Sequence, residues 1–394
     1  MGVLYQCLAA VLFLNRYVGG VIIRIVRGKQ WDEVDDTYCP SVTVIVPMFN
    51  EGIAIVETLE SLVALDYPAT KLEIICIDDG STDDSVAHAK RVAARTRGIT
   101  LVRNARNIGK RMSILHATRA AVGEIIVTVD SDVVVDPDAV RQLVRRFCDE
   151  RISAVGGWVD VRNKHESWLT RMQVVKYWYS YFVVKNIEWG FRRVMCLSGC
   201  LTAYRKSALI AIEPHLANRA ILGLPINYGE DRYLTRQLIK AGYLTTMTLD
   251  ARCKTSVPAT LSTYFSQQLR WRRSTIVDYA ALSTHVIRLN PILVIHFMSL
   301  FALLFVFPAV FVIAIVHGKL LPALVVHIKV LCAFGLYYRW HVRRRPPHER
   351  VGALAIIPLS LVMPLSYVLQ TPLALFTLDS GCWETRNHVP ATQP

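Results

Sequence analysis

The sequence predicts an α/β domain, with a mostly parallel sheet and helices on both of its faces, together with transmembrane and interfacial helices. Between Lys29 and Arg288, strand patterns alternate with helix patterns, which is typical of parallel sheets. Long apolar stretches lie toward both ends of the 394-residue chain, while the charged residues, 19% of the total, are concentrated in the middle. A single soluble domain distributes its charges more evenly, so we expect a membrane protein.

The first element is an apolar segment from Gly2 to Val26, long enough to cross a bilayer, which takes about 20 residues. Asn15 and Arg16 interrupt this segment, so an interfacial or signal-like segment remains an alternative. Basic residues follow at its end, and by the positive-inside rule they place the chain from residue 30 onward in the cytosol.

Three apolar segments follow the central domain. Pro291 to Val316 and Leu320 to Tyr338 are predicted to span the membrane, and the basic loop 339–350 that follows them is predicted to be cytosolic. Residues 351–378 contain three prolines, so they either span once or form a re-entrant piece. The predicted domains are an N-terminal transmembrane helix (1–28), a cytosolic α/β domain (29–257), interfacial helices (258–290), transmembrane or re-entrant helices (291–378) and a tail (379–394).

The net charge of +14 limits the partners. The sequence contains no nucleic-acid-binding signature, so we expect no nucleic-acid partner. Membrane lipids and a phosphorylated substrate account for the charge instead. The nine cysteines are scattered without zinc-ligand spacing, which favours reduced cytosolic thiols.

Acidic loops follow three predicted strands of the central domain. The strands are Val42–Val46, Leu72–Ile77 and Ile125–Val129, and the helices between them are Ile53–Leu65 and Ser85–Thr96. The loops that follow these strands are Pro47–Glu51, Asp78–Asp83 and Asp130–Asp132. Because ligands bind outside the carboxyl ends of the strands in such sheets, we expect the three loops to share one crevice.

The pair Asp130 and Asp132 suits a hard divalent cation such as Mg²⁺, which takes its remaining ligands from water and substrate phosphates. The cation would neutralise charge on a departing diphosphate. A solvated acidic turn is the alternative. Lys110 and Arg111 would contact a phosphate or the base, and basic residues at a helix start are the alternative for each.

Six short motifs occur in a fixed order along the chain. They are Val46-Pro47-x-x-Asn50-Glu51, Asp78-Asp79-Gly80-Ser81, Asn107-x-Gly109-Lys110-Arg111, Asp130-Ser131-Asp132, Gly229-Glu230-Asp231-Arg232 and Gln267-x-x-Arg270-Trp271. In this order they resemble the processive family 2 glycosyltransferases, in particular the hyaluronan synthases and the nodulation-type chitooligosaccharide synthases. The resemblance extends from Val42 to Arg386.

The resemblance implies a GT-A catalytic domain, with Asp231 as the general base and Glu230 beside it. Asp79 would hydrogen-bond the uracil, and Asp132 with Asp130 would hold Mg²⁺ or Mn²⁺. Arg270 would grip the diphosphate and Trp271 would stack on a sugar ring. The residues expected to contact the donor, the leaving group or the acceptor are Pro47, Phe49, Glu51, Asp79, Lys110, Arg111, Asp130, Gln267, Arg270 and Trp271.

The leading hypothesis is a processive, inverting, hyaluronan synthase-like enzyme of the plasma (inner) membrane with its catalytic domain in the cytosol. It would use UDP-GlcNAc and possibly UDP-GlcA, extend a growing polysaccharide and translocate it. The alternatives are a chitooligosaccharide or capsular polysaccharide synthase with a single UDP-sugar, a non-processive transferase with a lipid acceptor, and a scaffold or transporter that binds nucleotide without turnover.

The sequence departs from the family pattern near the expected acceptor site. Cys200 replaces a proline and Glu384 replaces a glycine. The donor site is therefore better defined by the resemblance than the acceptor site and the product are. Arg272 is expected to reach lipid headgroups rather than substrate.

Overall fold

The computed structural model describes residues 33–96, 98–217, 219–221, 224–226, 228–288 and 291–380. They form two units. The sheet unit contains residues 33–160 and 188–256, and the helical unit contains residues 161–187 and 257–380. The predicted N-terminal helix (1–28), nearly all of the tail (379–394) and the Glu384 departure lie outside the described residues.

The sheet unit is built on one sheet of eight strands. In chain order these are β1 (Val42–Met48), β2 (Leu72–Asp78), β3 (Ile99–Arg103), β4 (Ile125–Thr128), β5 (Val133–Val135), β6 (Ile152–Val161), β7 (Thr202–Arg205) and β10 (Leu244–Thr255). The strand order is β3-β2-β1-β4-β7-β6-β10-β5. All seven residues of β1 are buried, as expected for a strand at the centre of an α/β sheet.

One part of the sheet is parallel and the rest contains antiparallel pairs. β1 pairs in parallel with β2 and β4, and β2 pairs in parallel with β3, which confirms the predicted α/β arrangement. β7 is antiparallel to both β4 and β6, and β5 is antiparallel to β10. A separate short ribbon joins β8 (Ala220–Ile221) to β9 (Leu224–Pro225).

Helices connect the strands of the sheet unit. They are α1 (Ala54–Val63), α2 (Ser85–Arg95), α3 (Lys110–Ala120), α4 (Ala139–Val144), α7 (Lys206–Ala217) and α8 (Glu230–Lys240). Helix α1 buries Ile55, Leu59 and Leu62, a spacing that places them on one face of the helix. Helices α1 and α2 match the two helices predicted in this region to within two residues.

The helical unit contains six helices in the described part of the chain. They are α5 (Trp168–Trp178), α6 (Lys185–Gly190, which runs into the sheet unit), α9 (Leu261–Val286), α10 (Pro291–Val316), α11 (Leu320–Val342) and α12 (Ile356–Leu375). A π-helical segment, Tyr179–Val184, joins α5 to α6. Helix α5 begins with a capping box, in which the side chains of Ser167 and Thr170 bond each other's backbone N–H.

Aromatic side chains of α5 and the π-helical segment pack on α11. Trp178 and Phe182 stack on each other and contact Tyr337 and His341. These aromatic side chains therefore pack within the helical unit.

The helices with the length and hydropathy of a membrane span lie in α10 and in the segment that contains α12. Among the described residues, Leu293–Val316 is the one unbroken helix long and apolar enough to cross a bilayer. Ala353–Met363 and Leu365–Leu375 meet this criterion only together, and they are bent by 42°. The bend lies within residues 351–378, the segment predicted from its prolines either to span the membrane once or to form a re-entrant piece. The prediction that 320–338 spans the membrane remains a prediction.

Candidate functional site

The loops after β1 and β4 lie together at one edge of the sheet, because these strands are parallel neighbours. The Ser131 hydroxyl, between Asp130 and Asp132, donates a hydrogen bond to the carboxylate of Glu51. The Ser131 carbonyl oxygen accepts a hydrogen bond from Thr58 of α1 at 2.9 Å. The Asp130–Asp132 loop is therefore held by the loop after β1 and by the helix that follows it.

The loop after β2 joins the same edge. The Asp79 N–H donates to the carbonyl oxygen of Met48, the last residue of β1, at 2.8 Å. The Asn50 N–H donates to the Ser81 hydroxyl at 3.0 Å. Pro47, within β1, and Phe49, directly after it, belong to the same segment, so the structure brings the three predicted loops together.

The Asp79 carboxylate is buried and organises a fourth loop. Its oxygens accept hydrogen bonds from the Asn104 side chain at 2.9 Å, the Ile108 N–H at 2.9 Å and the Gly109 N–H at 2.8 Å. These bonds use three of the roughly four acceptor positions of a carboxylate. Asp79 thus fixes the backbone that leads into α3, and Lys110 is the first residue of that helix.

Lys110 connects two loops that are far apart in sequence. Its ammonium group lies 2.6 Å from a carboxylate oxygen of Asp130 and 2.7 Å from one of Glu230. Desolvation lowers the pKa of Lys110, but the two carboxylates outweigh this effect and raise the pKa well above its ordinary value. Lys110 therefore remains charged and links the loop after β4 to the start of α8.

Gly199 packs directly on the Lys110–Asp130 pair. A Cβ atom at this position would lie 3.0 Å from the Lys110 nitrogen and 3.2 Å from an Asp130 oxygen. The neighbouring Cys200, which departs from the family pattern, is close enough to Asp130 and Asp132 for their charges to raise the pKa of its thiol, in addition to the larger effect of burial. The departure thus lies beside the paired aspartates.

Asp231 lies in the first turn of α8, which follows Gly229 in the left-handed region at φ 66°. One of its oxygens accepts a hydrogen bond from the Arg232 N–H at 2.7 Å. Desolvation raises the pKa of Asp231 and the charge of Glu230 raises it further, whereas Arg232 and Lys110 lower it. The net effect is a carboxylate that is more basic than an ordinary aspartate.

A cavity of about 20 Å³ adjoins these groups, enough for one water molecule. Lys110, Glu230 and Asp231 line its polar side, and Gly199 and the buried Tyr204 are among its other walls. The cavity therefore adjoins the Asp231 carboxylate, whose pKa is raised, and the Lys110 ammonium group, which also binds Asp130.

Two arginines hold the chain just before α8. Arg111 donates a hydrogen bond to the Ile226 carbonyl oxygen at 3.1 Å, so its guanidinium is engaged with the backbone. Arg219 is buried and donates to the carbonyl oxygens of Tyr228 and Gly229. Arg219 was not among the predicted residues, because no pattern local in sequence relates residue 219 to a turn near residue 229.

Residues of the Gln-x-x-Arg-Trp motif lie in the helical unit, on α9. The side chains of Gln267, Arg270 and Trp271 are partly exposed. The ring centroid of Trp271 lies 6.5 Å from that of Tyr177 on α5. Their proximity to the sheet-unit residues remains a prediction.

Arg272 differs from the expectation that it reaches lipid headgroups. Its guanidinium is buried against the ring of Tyr367, 3.8 Å from the ring centroid, and donates to Thr371 at 3.3 Å. Both partners are on α12, so Arg272 joins α9 to α12 within the protein instead.

Asp130 and Asp132 are the two carboxylates of the loop after β4. Among the described residues, no cluster of three or more His, Cys, Asp or Glu side chains is arranged to hold a metal ion. Two carboxylates on one loop suit a hard cation that takes its other ligands from water and phosphate oxygens. The two residues present therefore fit a hard divalent cation such as Mg²⁺ or Mn²⁺ that takes its remaining ligands from outside the protein.

Comparisons of sequence identify relatives of this chain. Residues 43–212 match the family model described as Glycosyl transferase family 2. An N-acetylglucosaminyltransferase from Bradyrhizobium diazoefficiens is 38% identical over 241 residues, which cover 61% of this chain and 50% of that protein. An N-acetylglucosaminyltransferase from Azorhizobium caulinodans is 36% identical over 279 residues, which cover 70% of this chain and 69% of that protein. The chain thus spans half of the first relative and somewhat more than two thirds of the second.

A solved structure shares the fold. The mannosyltransferase from Pyrobaculum calidifontis, in complex with GDP-Man and Mn²⁺, superposes with a TM-score of 0.63 and 20% identity, covering 97% of this chain and 99% of that one. This likeness confirms a GT-A-like α/β fold. Together with the family match and the relatives above, it confirms the resemblance to the family 2 glycosyltransferases. The chain belongs to glycosyl transferase family 2.

Proposed function

We propose that the chain is an N-acetylglucosaminyltransferase, which takes N-acetylglucosamine from UDP-GlcNAc and adds it to a saccharide acceptor with inversion at the anomeric carbon. The observation that carries the proposal is the position of Asp231, a carboxylate of raised pKa beside the Lys110 ammonium that also binds Asp130. The names of the curated relatives support the sugar. The ordered motifs support the UDP donor.

In this proposal Asp231 acts as the general base. The acceptor hydroxyl oxygen attacks the anomeric carbon, its proton passes to Asp231, and the bond from that carbon to the diphosphate oxygen breaks with the electron pair leaving on UDP. A base works best when its pKa approaches the working pH, and desolvation moves Asp231 in that direction. Arg219 positions this group by holding the backbone of the preceding turn.

In this proposal the loops at the sheet edge bind the donor. Asp79 fixes the loop before α3 and has one acceptor position left for the uracil N–H, beside Phe49 and Glu51. Asp132 and Asp130 would hold Mg²⁺ or Mn²⁺, and this cation would neutralise charge on the diphosphate. Lys110 supplies a fixed positive charge next to the same loop, and Gln267, Arg270 and Trp271 would contact the leaving group and the acceptor.

The product is proposed to be an oligomer or polymer extended at the cytosolic face of the plasma (inner) membrane. The Gln-x-x-Arg-Trp motif on α9 supports repeated addition, and the apolar helix Leu293–Val316 supports a membrane location. Because the relatives are named for N-acetylglucosamine, the proposal takes a chitooligosaccharide made from this one sugar over a hyaluronan-like polymer, which needs two donors. Translocation of the product belongs to the same proposal.

The proposal is tested with protein purified in detergent and supplied with radiolabelled UDP-GlcNAc, UDP-GlcA, or both, in the presence of Mg²⁺ or Mn²⁺. We expect UDP-GlcNAc alone to yield a ladder of water-soluble oligosaccharides. A strict requirement for both donors would establish a hyaluronan-like product instead. An organic-soluble product would establish a lipid acceptor, and the absence of transfer from any UDP-sugar would refute the activity.

A pH profile tests the environment of the base. Transfer should fall as the pH decreases through the pKa of Asp231, and this acid limb should lie above the range of an ordinary aspartate, because desolvation and Glu230 raise that pKa. Glu230→Gln removes a negative charge and frees Lys110 from one carboxylate, and both changes lower the pKa of Asp231. We therefore expect the acid limb of kcat/KM to move to lower pH in this variant.

The control for this profile is Glu60→Gln, at an exposed position of α1. It should leave the acid limb where it is. An acid limb that is the same in Glu230→Gln and in the unchanged protein would show that the charge of Glu230 does not act on the titrating base.

A further inference from the structure

A lysine on α5 faces the Gln-x-x-Arg-Trp helix within the helical unit. The ammonium group of Lys176 donates hydrogen bonds to the Gln268 side-chain oxygen and, at 3.3 Å, to the Tyr264 hydroxyl. It lies 5.6 Å from the ring centroid of Trp271 and 5.2 Å from that of Tyr264. Every one of these partners belongs to α9, so Lys176 is fixed against the motif helix.

These contacts leave Lys176 without a compensating charge. Its partners in the described part of the chain are the Gln268 amide, the Tyr264 phenol and the Trp271 ring, and the charged group that acts on it is the cation Arg272. An ammonium group that has lost part of its hydration and has no carboxylate partner carries an uncompensated desolvation cost, and an apolar side chain of similar length would avoid it. A costly ionisable group beside a binding residue is typical of functional sites.

The hydrogen-bonding capacity of Lys176 is also incomplete. An ammonium group has three donors, and two of them are used by Gln268 and Tyr264. Gln268 and Tyr264 are almost fully buried, whereas Lys176 and Trp271 are partly exposed. The buried pair anchors the ammonium, and the remaining donor is available next to the accessible Trp271 ring.

We propose that Lys176 is an acceptor-binding residue, which donates its third hydrogen bond to a hydroxyl or N-acetyl oxygen of the saccharide that stacks on Trp271. An aromatic face beside a fixed polar donor suits a sugar ring, which has apolar C–H faces and polar edges. The inference rests on the proposed function and adds to it the residue that holds the acceptor in place.

The charge of Lys176 makes acceptor binding depend on pH. Burial, with a smaller contribution from Arg272, lowers the pKa of Lys176 to about 7. On α9, within the described part of the chain, the Arg272 cation acts on Lys176 and the Tyr264 phenol contacts it, and Arg272 itself packs on Tyr367 of α12. The turn Ala353–Ala355, which packs on α5, carries no ionisable side chain, and His341 of α11 contacts Trp178 and Phe182. The charge-assisted bond is present below pH 7 and is lost as the pH rises through about 7.

The test measures transfer from UDP-GlcNAc to chito-oligosaccharides of defined length, and separately the hydrolysis of UDP-GlcNAc by water. Lys176→Met keeps the length of the side chain and removes its donors. We expect this variant to raise the acceptor KM about tenfold, as expected for loss of a hydrogen bond from a charged donor, while the donor KM and the hydrolysis rate stay unchanged. A lysine with a purely structural role would lower hydrolysis and transfer together.

The pH dependence supplies a second readout. In the unchanged protein the acceptor KM should increase as the pH rises from 6 to 8. In Lys176→Arg, whose guanidinium remains charged, this increase should disappear, and in Lys176→Met the acceptor KM should be high at every pH. Lys185→Met is the matched control, because Lys185 lies 4.0 Å from the ring centroid of Tyr181 in the same unit. The acceptor KM of Lys185→Met should have the same value and the same dependence on pH as in the unchanged protein.

The outcomes separate this inference from the proposed function. If the unchanged protein transfers N-acetylglucosamine and Lys176→Met has the same acceptor KM, the role of Lys176 is refuted and the activity stands. If hydrolysis and transfer decline equally in Lys176→Met, the acceptor contact is likewise refuted. If the unchanged protein transfers no sugar, the activity is refuted and the inference with it.

Discussion

Asp231→Asn is expected to reduce sugar transfer by about 10³-fold while UDP binding stays close to that of the unchanged protein. The asparagine side chain has the same shape and still accepts the Arg232 N–H, so the first turn of α8 is preserved. Its amide cannot accept the proton of the acceptor hydroxyl. Initial rates with UDP-GlcNAc, together with calorimetric titration of UDP, measure the two quantities on the same preparation.

The control for this variant is Asp66→Asn, at an exposed carboxylate 3.5 Å from the partly exposed Arg141. Its transfer rate should be unchanged. Full turnover in Asp231→Asn would mean that another group removes the proton, and a loss of UDP binding would mean that Asp231 contributes to the donor site.

Asp132→Asn is expected to reduce transfer by more than about 10²-fold and to abolish the effect of a divalent cation on UDP affinity. The replacement removes one of two carboxylates that would hold the ion, and hard cations bind neutral amides less strongly than charged carboxylates. In the unchanged protein, UDP should bind more tightly with Mg²⁺ or Mn²⁺ than with a chelator. In the variant the two affinities should be equal.

Asp138→Asn serves as the comparison, because Asp138 is an exposed carboxylate at the start of α4, six residues further on. It should retain the effect of the metal on UDP affinity. A metal effect of full size in Asp132→Asn would contradict the two-carboxylate site, and a protein whose UDP affinity never depends on metal would remove the cation from the proposal.

Local patterns were sufficient to predict part of the fold. β1 and β2 consist largely of buried β-branched and aliphatic residues, and α1 repeats its apolar residues every three or four positions. Each of these elements could therefore be predicted from a short segment of the sequence. The antiparallel pairing of β7 with β4 and β6 was not predicted, because strand pairing is decided by contacts between segments tens of residues apart.

The same distinction holds for the candidate site. The carboxylates of the three loops were identified from their positions after strands, and the parallel order of β1, β2 and β4 brings these loops to one edge. Asp231 and Glu230 were identified through the family resemblance. The motif for Gln267, Arg270 and Trp271 was recognised in sequence, and the family match agrees with the general resemblance. The roles of these residues remain predictions, to be tested by the variants above.

The residues with the chemistry for a nucleotide-sugar site could be identified without the structure, because strand periodicity and each motif are contained in a short segment of the chain. The folded chain was needed to show that Lys110 binds both Asp130 and Glu230, that Arg219 holds the turn before Asp231, and that Lys176 lies against Gln268. Desolvation and charge pairing depend on distances in space between residues as many as 120 positions apart. These distances cannot be obtained from a short segment of the sequence. They determine how far the pKa of Asp231 is raised and how far that of Lys176 is lowered.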